Sequence, residues 1–206
     1  MYWYEDEVKR IEKEKHSLTY RPGMIFYGSS SIRLWNNLTN DFHMFAPVNL
    51  GFGGSTLEAC VWFFNRIMYD YSPDHIVIYA GDNDLGDGKK PQEVFSCFKQ
   101  LSVCIKEKFD SVSVTYISIK PSLARWNINH LISDTNHLIK DSIAKENRDF
   151  FFVDVYEKMV DKNGYPVKTL YDADGLHLSA EGYSLWKGIL LTHFSSNNDI
   201  FVTQYS

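Results

Sequence analysis

Cysteine is scarce in this chain: three thiols among 206 residues, at positions 60, 97 and 104, with no C-x-x-C pair. An odd number cannot close entirely into disulfides. Cys97 and Cys104 stand seven residues apart, and a bridge across two helical turns is geometrically implausible. Their apolar or helical settings make buried free thiols the expectation, so nothing requires an oxidising compartment. Long hydrophobic runs are missing too. No uncharged stretch approaches the roughly 20 residues that span a bilayer. The opening Met1-Tyr2-Trp3-Tyr4-Glu5-Asp6-Glu7 lacks the basic and apolar regions of a signal peptide. A cytoplasmic protein is therefore expected, unless a leader has been removed. Nor is there a surplus of positive charge: Lys and Arg number 21 against 26 Asp and Glu, a formal net charge of -5. Without a basic stripe to neutralise phosphates, a nucleic-acid partner is excluded.

What is present is a hydrophobic fraction of 44% with 23% charged residues, enough apolar material for a real core. The length fits one α/β domain, residues 1–206, with residues 1–20 as a helical N-terminal extension. In that extension Lys9, Arg10, Lys13 and Lys15 alternate with Glu5, Asp6, Glu7, Glu12 and Glu14, which reads as a solvated helix face. Strand-length apolar runs recur at Met24–Tyr27, Ala46–Leu50, His75–Ala80, Val112–Ile119 and Phe150–Val155. Between and after them, helical periodicity marks Thr56–Tyr69, Glu93–Phe109, Asn127–Asn147 and Ser179–Phe194. This alternation predicts βαβ crossovers and a parallel sheet covered on both faces. Trp35, Trp62 and Trp186 fall in apolar helical stripes, so core packing is expected for all three.

Chemistry-bearing residues gather where the strands end. Gly28-Ser29-Ser30-Ser31 follows the first strand, Gly51-Phe52-Gly53-Gly54-Ser55 the second and Gly81-Asp82-Asn83-Asp84 the third. Carboxyl ends of neighbouring parallel strands converge on one crevice, so these loops can meet. Asp172-Ala173-Asp174-Gly175-Leu176-His177 precedes the last helix, which can bring it to the same place. A serine hydroxyl becomes a nucleophile when an imidazole takes its proton, and the imidazole needs a carboxylate to fix its tautomer. Asp174 and His177 are spaced for that pairing. Gly54 lets a backbone N–H approach a developing oxyanion, the Asn83 amide supplies a second donor, and the Ser30 N–H a third. Taken alone, each motif has a plainer reading: the serines as a helix N-cap, the glycines as a tight turn.

Together these residues resemble the SGNH (GDSL-like) hydrolase superfamily. Gly28-Ser29-Ser30 stands where that family carries Gly-Asp-Ser, which marks Ser30 as the nucleophile. Gly54 matches the glycine of the second block, Gly81-Asp82-Asn83-Asp84 matches Gly-x-Asn-Asp, and Asp174 with His177 matches Asp-x-x-His. The blocks occur in order across residues 28 to 177. One position departs: Ser29 replaces the usual aspartate, a supporting residue rather than a member of the triad. The resemblance implies a three-layer α/β/α, flavodoxin-like fold with a five-stranded parallel sheet in the order 2-1-3-4-5. It implies an esterase with Ser30, His177 and Asp174 as triad and Ser30, Gly54 and Asn83 as oxyanion donors. The expected substrate is a small-molecule or carbohydrate ester with a short acyl group such as acetyl, and no metal or organic cofactor is implied.

Lys120, Arg125 and Trp126 follow the fourth strand and therefore open onto the crevice as candidate substrate contacts, the plainer reading being loop charges and a packing residue. His130 and His137 share a helical segment without a third ligand at metal spacing. Two other classes compete with the esterase. One is a non-catalytic carbohydrate- or lipid-binding module, which would offer no activated serine. The other is a nucleotide-binding protein using Gly51–Gly54 as a phosphate loop, although the G-x-G-x-x-G spacing and a Walker lysine are missing.

Overall fold

The computed structural model of the protein describes residues 1–146 and 149–196. Five strands, β1 (Met24–Gly28), β2 (Pro47–Gly51), β3 (His75–Tyr79), β4 (Ser113–Ile117) and β5 (Phe150–Val153), form one sheet. All four pairings are parallel and the order is β2-β1-β3-β4-β5. The helices are α1 (Glu5–Lys15), α2 (Ser30–Arg33), α3 (Leu38–Asp41), α4 (Leu57–Ile67), α5 (Asp82–Gly86), α6 (Pro91–Lys108), α7 (Asn129–Glu146) and α8 (Ala180–Ser196). Asn147 of the expected helix and residues 197–206 of the expected domain lie outside the described residues. Among the described residues no helix is long and apolar enough to cross a membrane.

Period-two alternation in the strands divides the core. Ile25, Tyr27, Ile76 and Ile78 pack on one face with α1, α4, α6 and α7. Met24, Phe26, Val77 and Tyr79 pack on the other with α8 and the segment Ile32–Phe42. Burial on both faces explains why His75-Ile76-Val77-Ile78-Tyr79 reads as a continuous apolar run. Trp35 and Trp186 lie in the second layer with ring centroids 6.1 Å apart, and each buried ring contributes on the order of 2–3 kcal/mol.

Some details depart from expectation. Strands β4 and β5 stop at Ile117 and Val153, because the Ser118 hydroxyl replaces the ladder and accepts the Val155 N–H at 2.9 Å. Trp62 is 70% exposed. The buried face of α4 carries Leu57, Cys60, Phe63, Phe64 and Ile67, and Trp62 falls outside it, between Glu58 and Arg66. All three cysteines are free, but only Cys60 is fully buried; Cys97 and Cys104 sit at the edge of the apolar stripe of α6. The charged face of α1 is not wholly solvated either: Arg10 Nη2 donates to the Gly51 carbonyl at 2.8 Å, tying the helix to the end of β2.

The junction of β1 and β3 is the tightest point in the sheet. Gly28 has φ +137°, and a Cβ there would lie 1.9 Å from the Tyr79 carbonyl oxygen. Gly28→Ala is expected to cost at least about 3 kcal/mol in urea unfolding, because neither the conformation nor the space admits a side chain. Gly188, exposed in α8 with nothing within 4 Å of a Cβ, gives the opposite sign. Gly188→Ala is expected to stabilise by about 0.5–1 kcal/mol.

Candidate active site

Chain reversal at Gly28 delivers the serines. Ser29 is extended, with φ -85° and ψ -167°, and caps the four-residue helix α2, which begins at Ser30. The first N–H groups of a helix have no intrahelical acceptor, which leaves the Ser30 N–H free of an intrahelical partner at the start of α2. Of the three adjacent serines, Ser29 and Ser31 are buried, and Ser30 alone is partly open to solvent. The Ser29 hydroxyl has no hydrogen-bond partner. Position thus separates three chemically identical side chains.

The loop before α8 supplies the imidazole. Gly175, at φ +66°, turns the chain, and its N–H donates to the Asp172 carbonyl at 2.9 Å. The Asp172 N–H in turn donates to the His177 carbonyl at 2.9 Å, and Tyr171 bridges to Leu178, closing the loop. Within it, Asp174 Oδ1 accepts the backbone N–H groups of Leu176 and His177, both at 2.9 Å. Asp174 Oδ2 lies 2.6 Å from His177 Nδ1, and His177 Nε2 lies 3.2 Å from Ser30 Oγ. The hydrogen bond from His177, followed by those from the two backbone N–H groups, holds the Asp174 carboxyl down at about 2. An ionised Asp174 takes its proton contact from Nδ1–H, leaving Nε2 as the acceptor facing the serine hydroxyl.

Gly54 and Asn83 come from the loops after β2 and β3. Gly54 has φ +68°, and nothing lies within 4 Å of its would-be Cβ, so conformation rather than space calls for glycine. Asn83 Nδ2 donates to the Ser55 carbonyl at 3.0 Å, linking the two loops. Its Oδ1 accepts from Arg125 Nη2 at 3.0 Å, which fixes which end of the amide carries the donors. A further tie runs beneath, where the Asp84 carboxylate accepts the Leu57 N–H at 2.7 Å.

Lys120, Arg125 and Trp126 do not form a common wall. Lys120 is 1% exposed, its Nζ 3.4 Å from Asp82 Oδ2, and burial pushes its ammonium pKa down against the pull of Asp82. It lies under the crevice, because a buried carboxylate needs a cation more than the surface does. Arg125 Nη1 also meets Asp82, at 3.4 Å, so this guanidinium spans Asp82 and Asn83. Trp126 remains half-buried against the exposed ring of Tyr165, 4.9 Å between centroids. Tyr4, just before α1, Glu7 in α1 and Arg33 in α2 gather at the crevice loops without a sequence motif to mark them. The charge of Glu7 is hidden in the ordinary alternating pattern of α1.

A serine, imidazole and carboxylate in hydrogen-bonded sequence at the carboxyl edge of a parallel sheet is the equipment of an ester-hydrolysing α/β enzyme. The chain belongs to the GDSL-like Lipase/Acylhydrolase family, whose model matches residues 17–185, and it is a carboxylic ester hydrolase. Solved structures share the fold. A platelet activating factor structure from Streptococcus pneumonia superposes with TM-score 0.82 at 22% identity, covering 92% of each chain. A GDSL-like lipase from Bacteroides thetaiotaomicron gives 0.76 at 20% identity, covering 92% of this chain and 98% of that one. A carbohydrate esterase family 3 protein from Talaromyces cellulolyticus gives 0.67 at 13%, covering 84% and 96%. No curated protein sequence matches the chain.

The buried charges set a stability test. Lys120→Ala leaves Asp82 without its buried ammonium and is expected to cost about 3–5 kcal/mol in urea unfolding. A loss under about 1 kcal/mol would show that Arg125 alone satisfies Asp82.

Proposed function

We propose that this ester hydrolase removes short acyl groups, acetyl foremost, from a carbohydrate or small metabolite by way of a Ser30-His177-Asp174 triad. The observation that carries the reading is the unbroken pair of contacts, 2.6 Å from Asp174 to His177 and 3.2 Å from His177 to Ser30. In this mechanism His177 Nε2 takes the Ser30 proton as Oγ attacks the acyl carbonyl. The tetrahedral oxyanion is held by the N–H groups of Ser30 and Gly54 and by Asn83 Nδ2. His177 then gives its proton to the departing alkoxide, releasing the alcohol and leaving an acyl-enzyme. Water, deprotonated by the same imidazole, cleaves that ester and restores Ser30.

Two points support the substrate class. The Talaromyces structure with this fold is a carbohydrate esterase. Beside the His177 loop, between α2, α3 and α8, lies a cavity of about 530 Å³. It is lined in part by Asn36, Asn37, Asp41, Asp172, Ser184 and Lys187, groups suited to a polyhydroxylated leaving group.

A series of chromogenic esters with the Ser30→Ala control tests the proposal. Turnover is expected to fall steeply beyond butyryl and to drop at least about 10⁴-fold in Ser30→Ala, while Asn83→Ala costs about 10²–10³-fold. A preference for long acyl chains would rule out the deacetylase reading, and retained turnover in Ser30→Ala would remove the nucleophile.

The charge on Asp174 gives a pH prediction. With its carboxyl held at about 2, Asp174 stays ionised above that pH. Titration of Asp174 is then expected to leave kcat/KM unchanged above about pH 4. Asp174→Asn lowers kcat about 10³–10⁴-fold by releasing the tautomer. Turnover in Asp174→Asn within about tenfold of the parent would show that Asp174 does not orient the base. The stabilising effect of Asp174 is present above its unfolded value near about 4 and is lost as pH falls toward about 2.

A further inference from the structure

We infer that the N-terminal segment, through Tyr4 and Glu7, positions the Gly54 N–H as an oxyanion donor; this rests on the proposed hydrolytic site. That N–H belongs to the peptide joining Gly53 to Gly54. Two glycines in succession leave such a peptide free to rotate, and rotation turns the N–H out of the crevice and the carbonyl in. The peptides on either side are both held from the N-terminal segment. The Gly53 N–H donates to Glu7 Oε2 at 3.2 Å, and the Gly54 carbonyl accepts from the Tyr4 hydroxyl at 3.1 Å. The rotatable unit is clamped at both ends.

The clamp is itself anchored. Tyr4 is buried, its ring edge-on to Phe52 at 5.6 Å and to Phe63 at 6.4 Å. Val8 and Ile11 fasten α1 to the core. Glu7 Oε2 also accepts from Arg33 Nε at 2.5 Å and from Arg10 Nη2 at 3.3 Å. Partial burial raises the Glu7 carboxyl, but the Arg33 and Gly53 hydrogen bonds and the two guanidinium charges bring it below the usual value. Arg33 ends the helix that begins with Ser30, so one carboxylate joins the nucleophile's helix to the oxyanion loop. Tyr4, Glu7 and Arg10 all precede residue 17, where the family match starts. The clamp therefore lies outside the segment that the family model matches.

The test compares Tyr4→Phe, Glu7→Ala, Glu7→Gln and Ser30→Ala on a chromogenic acetyl ester, with kcat, KM and thermal midpoint for each. Glu12→Gln serves as control, because Glu12 pairs with Arg66 on the exposed side of α1. Phenylalanine keeps the ring packing of Tyr4 and removes only the hydroxyl. Tyr4→Phe is expected to lower kcat about 5-fold and Glu7→Ala about 20-fold, within the ceiling set by losing a donor outright. In both, KM stays within about twofold, since ground-state binding does not use the oxyanion donor. Glu7→Gln recovers a large part of kcat, because its amide oxygen still accepts the Gly53 N–H. Turnover in Tyr4→Phe and Glu7→Ala equal to that of Glu12→Gln would overturn the inference. So would kcat losses that track the thermal midpoint across all variants, which would make the segment merely structural. Undiminished turnover in Ser30→Ala would instead remove the hydrolytic site on which the clamp depends, a result separable from either of these.

Discussion

At the end of β1, the Gly28 backbone lies so close to the Tyr79 carbonyl of β3 that no side chain fits between them. The Ser29 N–H donates to that carbonyl at 2.8 Å, so the chain leaves the sheet by a single route. Everything above the sheet depends on that exit. It sets the start of α2 and hence the direction of the Ser30 hydroxyl. Its neighbours in register, Gly51 on β2 and Tyr79 on β3, launch the loops that carry Gly54 and Asn83. A small displacement here reaches the loops of Ser30, Gly54 and Asn83 together, because a packed sheet shifts as a unit.

The crevice rests on charge as much as on apolar packing. Asp82, Lys120 and Arg125 lie beneath it, Asp84 beside them holds the start of α4, and Glu7 with Arg33 and Arg10 supports the second loop. Such groups stabilise little in net terms, since desolvation offsets most of the attraction. What they provide is direction. The Asn83 amide illustrates this: Arg125 on its oxygen and the Ser55 carbonyl on its nitrogen leave one orientation. Asp82 Oδ1 and Asp84 Oδ1 remain without hydrogen bonds.

The layered fold was legible in the chain because burial on both faces makes strands continuously apolar while helices keep one stripe. His75–Tyr79 and the Val94, Phe98, Leu101, Ile105 stripe are direct examples. The Asp174–His177 pair was legible for a different reason: its geometry is local, closed within one loop. Long-range pairings left no such trace. Lys120 looked like any loop lysine, because its partner Asp82 lies 38 residues away. Glu7 and Arg10 resembled their solvated neighbours, and only the fold brings them to Gly51 and Gly53. Trp62 failed in the reverse direction: an aromatic residue in an apolar helix suggested burial, but its rotation about α4 faces it outward.

Asp174 and His177 occupy the same tight loop, whereas Ser30 stands 147 residues earlier in the chain. The imidazole's tautomer is therefore a property of local sequence, and its meeting with the hydroxyl is a property of the whole fold. Loosened packing breaks the long-range contact first. In the proposed mechanism the loop then keeps a base with nothing to activate, and the serine is an ordinary alcohol. On that mechanism partly unfolded molecules are silent rather than indiscriminate, and hydrolysis requires the complete tertiary structure.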